Sequence, residues 1–566
     1  VAALDLRDDL GPRIMTTPVA VTLRPVRSAA STVRRIVVIL LLLALVIVTA
    51  IGLSGLLGRL IDPNATLVGL DPTSLALSLA FTLVGGPLTL LLWWLAWRRL
   101  DDPAERGSLA WGLYLAGAST LALIVTLNSG LTALTALIEG EWLPGEAATA
   151  VSWSAVWIWH RWMRRHRTKG PLRLGSVAGV LASWYGLIVG AVSVAGALGA
   201  VFAEAIRGLT TTVVLGEPWW RPVLQSLVWA AGGGLVWAWH WFRERVRDTS
   251  TVFASVVLVL VGILAASVAA LAGAGTLVFV GLRLAFDAVE PVASLLDPLD
   301  IALAAALVGA VVWTFHARIV RARPASGGGE AVRSAASLVL SGVGVAATAT
   351  AIGVIINATL ASLSPTLAGA EPRTLLLSGI STLVVGAPLW WVVWRPTRGA
   401  LPAAAASTGR RIYLVALFGI SAAVALVALL VIGFLVFEFL LDTTGGAIVD
   451  RVRAPLGILV ATLLVAGYHF AIWRRDRAVA GTTTDRARAI RRVTLVLPAE
   501  DPGLVAAVRE ATGSSVTVWL RASEPGAPVA APATDAVVAA LADVHAERVL
   551  VLAGPRRRID VVPLVD

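Results

Sequence analysis

Apolar runs alternate with short polar connections along most of the chain, at 36–60, 74–97, 108–138, 147–163, 174–206, 222–242, 251–286, 299–319, 334–363, 373–394, 412–441 and 454–473. A helix needs about 20 apolar residues to cross a hydrocarbon layer of about 30 Å. The pattern therefore predicts twelve membrane-spanning helices. Odd-numbered runs after the first are longer than required, at about 30 residues, and must tilt or project past the bilayer; even-numbered runs are close to the minimum.

The even-numbered runs share an ending, an aromatic residue followed three positions later by Trp or His. The pairs are Trp94 and Trp97, Trp157 and His160, Trp237 and His240, Trp313 and His316, Trp391 and Trp394, and Phe470 and Trp473. Their second members are 63, 80, 76, 78 and 79 residues apart. This spacing predicts six two-helix hairpins in parallel, grouped as three four-helix units. Three residues before the aromatic, five pairs carry a small or chain-bending residue: Ser154, Gly234, Ala310, Pro388 and Gly467. Small residues let helix backbones approach when no water remains to drive association.

Composition agrees with a bilayer. The 566 residues are 57% hydrophobic and 14% charged, with a mean hydropathy of +0.83. There is no cysteine, which excludes disulfides, thiolate ligands and a Cys nucleophile. Lys169 is the only lysine among 46 basic residues; this arginine bias, with abundant Ala, Val and Gly, suggests a high-GC bacterial gene. Basic residues concentrate on one side of the predicted spans, in Arg161–Arg173, Arg318–Arg333 and Arg474–Arg492. Basic loops stay in the cytoplasm, so both termini are expected there. The net charge of +11 then faces anionic lipid headgroups, and no nucleic-acid partner is needed. Residues 1–33 lack a cleavable signal pattern, and Val1–Ile14 read as an extension upstream of a start at Met15.

After Arg477 the period changes. Strands are expected at Arg492–Pro498, Ser515–Arg521, Arg548–Ala553 and Ile559–Val565, with helices at Pro502–Thr512 and Thr534–Ala546 and a Pro/Ala linker at 522–532. These make a small cytoplasmic α/β domain over 490–566. It has no Gly-rich phosphate loop and no His/Asp/Glu cluster, so it reads as a docking or regulatory cap.

The start Arg410-Arg411-Ile412-Tyr413-Leu414, and the partner helix running through Val385-Gly386-Ala387-Pro388-Leu389 into Trp390-Trp391-Val392-Val393-Trp394-Arg395, resemble bacterial multi-pass membrane proteins of the DUF5671 (domain of unknown function) family. The resemblance implies fold and location and brings no activity. The expected division is an N-terminal segment 1–33, four-helix units 34–172, 173–325 and 330–478, and the tail domain.

Candidate chemistry is sparse. Rings at Trp94, Trp97, Trp157, His160, Trp237, His240, Trp313, His316, Trp391, Trp394 and Trp473 are expected as membrane-interface anchors, with arginines just beyond them. A metal or haem site made from His160, His240, His316 and His469 is the rival reading. Against it, three of the six repeats carry Trp at the His position, His469 is out of register, and no carboxylate recurs beside the rings. No cofactor is expected. Glu204, Arg207, Arg283, Asp287, Glu290, Glu438 and Asp442 fall near outer helix ends and read as caps and surface charges, while Asn128 reads as an interhelical hydrogen-bonding group.

No nucleophile, base or paired-Asp constellation lies inside the spans, so no enzyme is expected. The first functional expectation is a non-enzymatic scaffold or accessory subunit of the bacterial inner membrane, with a protein partner at the C-terminal domain. The second is a transporter or permease whose cavity lies where Pro87, Gly234 and Pro388 break helices 2, 6 and 10.

Overall fold

The computed structural model describes residues 29–63, 72–210, 218–287, 290–324, 328–363, 372–398, 407–441, 447–487, 490–497, 501–521, 532–542, 544, 546–553 and 559–564. Val1–Ile14, most of the 522–532 linker and Asp442 lie outside them. Apolar sequence of this kind becomes helix because, away from water, every backbone N–H and C=O must be paired within its own segment.

Helices form at each of the predicted runs: α1 (Ala29–Leu60), α2 (Pro72–Arg99), α3 (Leu109–Glu139), α4 (Pro144–Arg165), α5 (Val177–Thr210), α6 (Trp220–Ala238), α7 (Val252–Phe286), α8 (Val292–Ala322), α9 (Gly329–Ala361), α10 (Pro372–Arg398), α11 (Thr408–Leu441) and α12 (Ile448–Ala487). Among the described residues, ten are long and apolar enough to cross a membrane. The exceptions to the expected twelve are α4 and α6. Helix α4 carries four Trp, two Ser and four charged residues, and α6 three Trp, three Gly, Arg221 and Gln225, which lower their hydropathy below that of a leucine-rich span. The chain is a multi-pass membrane protein. Residues up to Tyr185 and residues from Gly186 onward form two compact units.

In the first unit, α1 packs against α2 and α4, and α3 against α4. Helix α3 starts where the Ser108 side chain accepts from the Trp111 N–H at 3.3 Å and stops at Gly140, whose φ of 81° an L side chain adopts only with strain. In the second unit, α9 packs against α10 and α12, and α11 against α12. The pairs α5/α6 and α7/α8 meet through glycine. A Cβ on Gly186 would stand 2.6 Å from the Trp237 nitrogen, and one on Gly273 or Gly309 would stand 2.5 Å from backbone of the facing helix.

Two of the three expected helix breaks are corrected. Helix α10 runs unbroken through Pro388 and α6 through Gly232–Gly234. At Val84 the expected interruption is present: one helical stretch ends at Leu83 and the next starts at Gly85, although the Val84 N–H still donates to the Ala80 carbonyl at 3.0 Å. The glycines serve packing: a Cβ on Gly85 would lie 3.3 Å from Thr49 of α1, and one on Gly386 2.7 Å from Ala347 of α9. Further irregularities are π turns at Trp239–Arg243 and Leu258–Ala265.

The C-terminal sheet has β1 (Arg492–Leu497), β2 (Ser515–Leu520), β3 (Arg548–Ala553) and β4 (Ile559–Leu564) in the order β2-β1-β3-β4. The first three are parallel and β4 is antiparallel to β3. Helix α13 (Pro502–Thr512) falls where expected, whereas α14 (Thr534–Leu541) is shorter than expected. Both helices cover one face, burying Leu504, Val508, Val537 and Leu541 against Val493, Leu495, Leu497, Val549 and Val551. The step from β1 to β2 and the step back from β2 to β3 run in opposite directions beneath helices on the same face. One of the two crossovers therefore departs from the usual right hand.

Candidate functional site

The chemistry-bearing side chains gather at the ends of the even helices. Four histidines are buried there, His160 at 1%, His240 at 2%, and His316 and His469 at 0% exposure. In each, Nδ1 lies 2.7–2.8 Å from the carbonyl four residues earlier, at Val156, Val236, Val312 and Val465. A carbonyl only accepts, so Nδ1 carries the proton and the ring is locked to its own helix.

What faces the other nitrogen differs. His160 Nε2 accepts from the Tyr114 hydroxyl of α3 at 2.9 Å. Trp93 sits at the centre of this nest, edge-on to Trp111, Trp159 and His160 with centroids 5.5–6.0 Å apart. Lys169 closes it: its ammonium donates to the Trp97 carbonyl at 2.9 Å and to Asp101 at 2.6 Å, and lies 5.1 Å from the Trp97 ring centre.

A second nest joins α9, α10, α11 and α12. Tyr413 turns to Ser341 at 2.7 Å, and the Trp394 indole N–H donates to the Tyr468 hydroxyl at 2.8 Å. Arg410 holds Asp476 at 2.6 Å with its guanidinium 5.2 Å from the Trp394 ring centre. Both nests thus set a buried cation on the corresponding tryptophan, Lys169 on Trp97 and Arg410 on Trp394. Because Tyr413 is engaged elsewhere, His469 Nε2 has no hydrogen-bond partner among the described residues. Between α6 and α8, Trp241 lies edge-on to His316 at 5.6 Å, and Glu244 is 4.0 Å from His240 Nε2.

The expected anchor positions divide. Trp94 and Trp391 are exposed; Trp97, Trp157, Trp237, Trp313 and Trp473 are half-buried. His160, His240, His316 and Trp394 are buried in helix packing, so these four hold helices together and the anchor reading is replaced there. Pro87 and Pro388 are exposed. Gly234 lines a cavity of about 400 Å³, and Gly386, not Pro388, lines another of about 400 Å³. The charges expected at outer ends pair as Arg207 with Glu204, Arg283 with Asp287 and Glu290, and Arg451 with Glu438. Asn128 accepts an interhelical hydrogen bond from Tyr185 at 2.6 Å. Among the described residues, no group of three or more His, Asp and Glu stands within metal-ligating reach.

Sequence reasoning missed Trp93, Tyr114 and Asp476, and met Arg410 and Tyr413 only in the motif that carries the family resemblance, not as partners of Asp476 and Ser341. The doublets Trp93-Trp94 and Trp390-Trp391 were the available signal, since adjacent rings on a helix point in different directions and one of each pair can turn inward.

With this geometry in hand, comparison with known families gives a match to the one described as Domain of unknown function (DUF5671), at residues 35–158 and again at 331–464. Both stretches match that family's model. They contain Trp93 and Tyr114 in one case and Ser341, Trp394 and Tyr413 in the other, and both stop short of the buried histidines. The DUF5671 stretches coincide with the first and third expected four-helix units, while α5 to α8 lie between them. Neither the curated proteins nor the solved structures compared with the chain give a match.

Proposed function

We propose that the chain is a non-enzymatic scaffold or accessory subunit of the bacterial inner membrane, built from six hairpins that cross twelve times, with both termini cytoplasmic. In this reading α4 and α6 span as well, because α4 packs between α1 and α3 and α6 meets α5 at glycine contact. The observation that carries the reading is the orientation of the Gly/Pro motifs. Gly85 and Gly386 press into α1 and α9, while Pro87 and Pro388 face outward. The glycines of these two motifs close helix pairs, while Gly234 of the third borders a cavity.

The partner would dock on the C-terminal domain. Its sheet face opposite the helices carries Val496, Leu550 and Leu552, half-buried, beside Trp519, Val562 and Leu564 at 61%, 40% and 42% exposure. Parallel sheets are ordinarily covered on both faces, so a protein surface is the fitting complement.

Transport is favoured by one feature, the cavity bordered by Thr276, Ser378, Ser381, Thr382 and Gly386. Its four hydroxyls all donate to carbonyls of their own helices, which suits helix packing as well as a passage. The cysteine-free chain allows a clean test. Ser381→Cys should resist a membrane-impermeant thiol reagent in intact vesicles of either orientation if the scaffold reading holds. Rapid labelling there would replace it with the transporter reading.

A further inference from the structure

We propose that the helices between the two DUF5671 stretches hold one anionic phospholipid, with an acyl chain in the α5–α6–α8 cavity and its phosphate on arginines at the ends of α6 and α8. The proposal rests on the reading that these helices span a membrane.

The cavity measures about 400 Å³ and is lined by Gly190, Val194, Gly234, Trp237, Val311 and His316, among others. That volume lies within the range of small-molecule sites, about 300–1,000 Å³. Its walls are almost wholly apolar, and it opens at the outer surface, where Val194, Leu307 and Val311 are 39%, 50% and 67% exposed. In a bilayer that surface meets acyl chains. Gly234 keeps the space open: a Cβ there would touch nothing within 4 Å, whereas the adjacent Gly233 is jammed against Gly190.

Charge selects the headgroup. Trp237 and His316 mark one end of the cavity, and the chain becomes basic just beyond them. Arg318 and Arg321 follow His316 by two and five residues, about 3 and 7.5 Å of helix rise, and Arg243 follows Trp237 by six, about 9 Å. All three are exposed, and none forms an ion pair among the described residues, in contrast to Arg283 and Arg410. Glu244 and Asp248, the nearby carboxylates, face His240 and Arg247. Basic groups between membrane helices beside an apolar slot are the chemistry that recognises an anionic lipid.

Native mass spectrometry of the full chain, released from detergent after incubation with phosphatidylglycerol or phosphatidylcholine, tests this. Wild type should retain one phosphatidylglycerol in preference to phosphatidylcholine. Gly234→Leu should cut retention of both at least tenfold while its elution volume and unfolding temperature stay near wild type. Arg318→Gln with Arg321→Gln should lower the preference by about fivefold per arginine. Equal retention of the two lipids by wild type, or no retention of either, would overturn the proposal; this readout does not depend on any variant. Resistance of the chain to alkaline carbonate extraction separates the outcomes. An extractable chain defeats the spanning reading, while an integral chain without bound phosphatidylglycerol defeats only the lipid site.

Discussion

Tyr114 and His160 are joined across α3 and α4 by a 2.9 Å hydrogen bond in which the hydroxyl donates to Nε2. The direction follows from the other side of the ring, where the Nδ1–H already donates to the Val156 carbonyl. This pair ties the two helices of the second hairpin at the point where Trp93 fills the space between them.

Tyr114→Phe should keep the ring packing and lose only that bond. Interhelical hydrogen bonds in membrane proteins average about 0.6 kcal/mol with a maximum near 1.7, so a cost of about 1 kcal/mol is expected. Reversible unfolding in mixed micelles would measure it, and a cost below about 0.2 kcal/mol would show that the bond is not formed.

The two buried cations should respond differently to loss of their carboxylates. Asp101 is 76% exposed, whereas Asp476 is 14% exposed and faces an Arg410 that is 5% exposed. Asp101→Asn removes a solvent-screened carboxylate while the Lys169 ammonium keeps the Trp97 carbonyl as acceptor, and should cost about 0–1 kcal/mol. Asp476→Asn leaves a charge buried and should cost about 3–5 kcal/mol. Equal destabilisation of the two variants in a thermal-shift assay would refute the asymmetry.

Neighbouring glycines should behave in opposite ways. Gly233→Ala drives a methyl into the backbone of Gly190, while Gly234→Ala points one into open space. The first is expected to lower the unfolding temperature by several degrees, a core-strain cost of about 1–3 kcal/mol, and the second to leave it within about one degree, as a change of 0.5 kcal/mol or less would.

In the C-terminal domain, Leu495 is fully buried and Trp519 is 61% exposed. Leu495→Ala should destabilise the domain by about 2–5 kcal/mol. Trp519→Ala should leave its stability nearly unchanged yet remove any protein recovered with the wild-type chain after mild detergent extraction. A reporter fused after Asp566 should be active only in the cytoplasm; periplasmic activity would reverse the arginine-based orientation.

Much of the architecture is legible in the order of residues. Hydrophobic run length placed a helix on each of the twelve runs, with ends within seven residues except at α12, which extends 14 residues past 473 to Ala487, and alternation placed the four strands, because both signals are local and depend on backbone periodicity. The Pro/Gly motifs show where that reasoning ends. Val385–Leu389 and Gly232–Gly234 read as breaks from composition, but a glycine in a helix is tolerated when a neighbouring backbone occupies the space its side chain would need. Whether such a neighbour exists is a property of the assembled fold.

The same division holds for the rings. Sequence periodicity puts Trp or His at the ends of the even helices, which is sufficient to predict where aromatic side chains gather. It could not say that His160, His240, His316 and Trp394 turn inward while Trp94 and Trp391 turn out, nor that Lys169 and Arg410, from different parts of their units, reach corresponding tryptophans. Those choices depend on which helix lies against which, and packing between segments 46 or 66 residues apart, as in Tyr114 with His160 or Arg410 with Asp476, leaves no periodic trace along the chain. Position along a helix is written locally; the direction a side chain faces was decided by its neighbours.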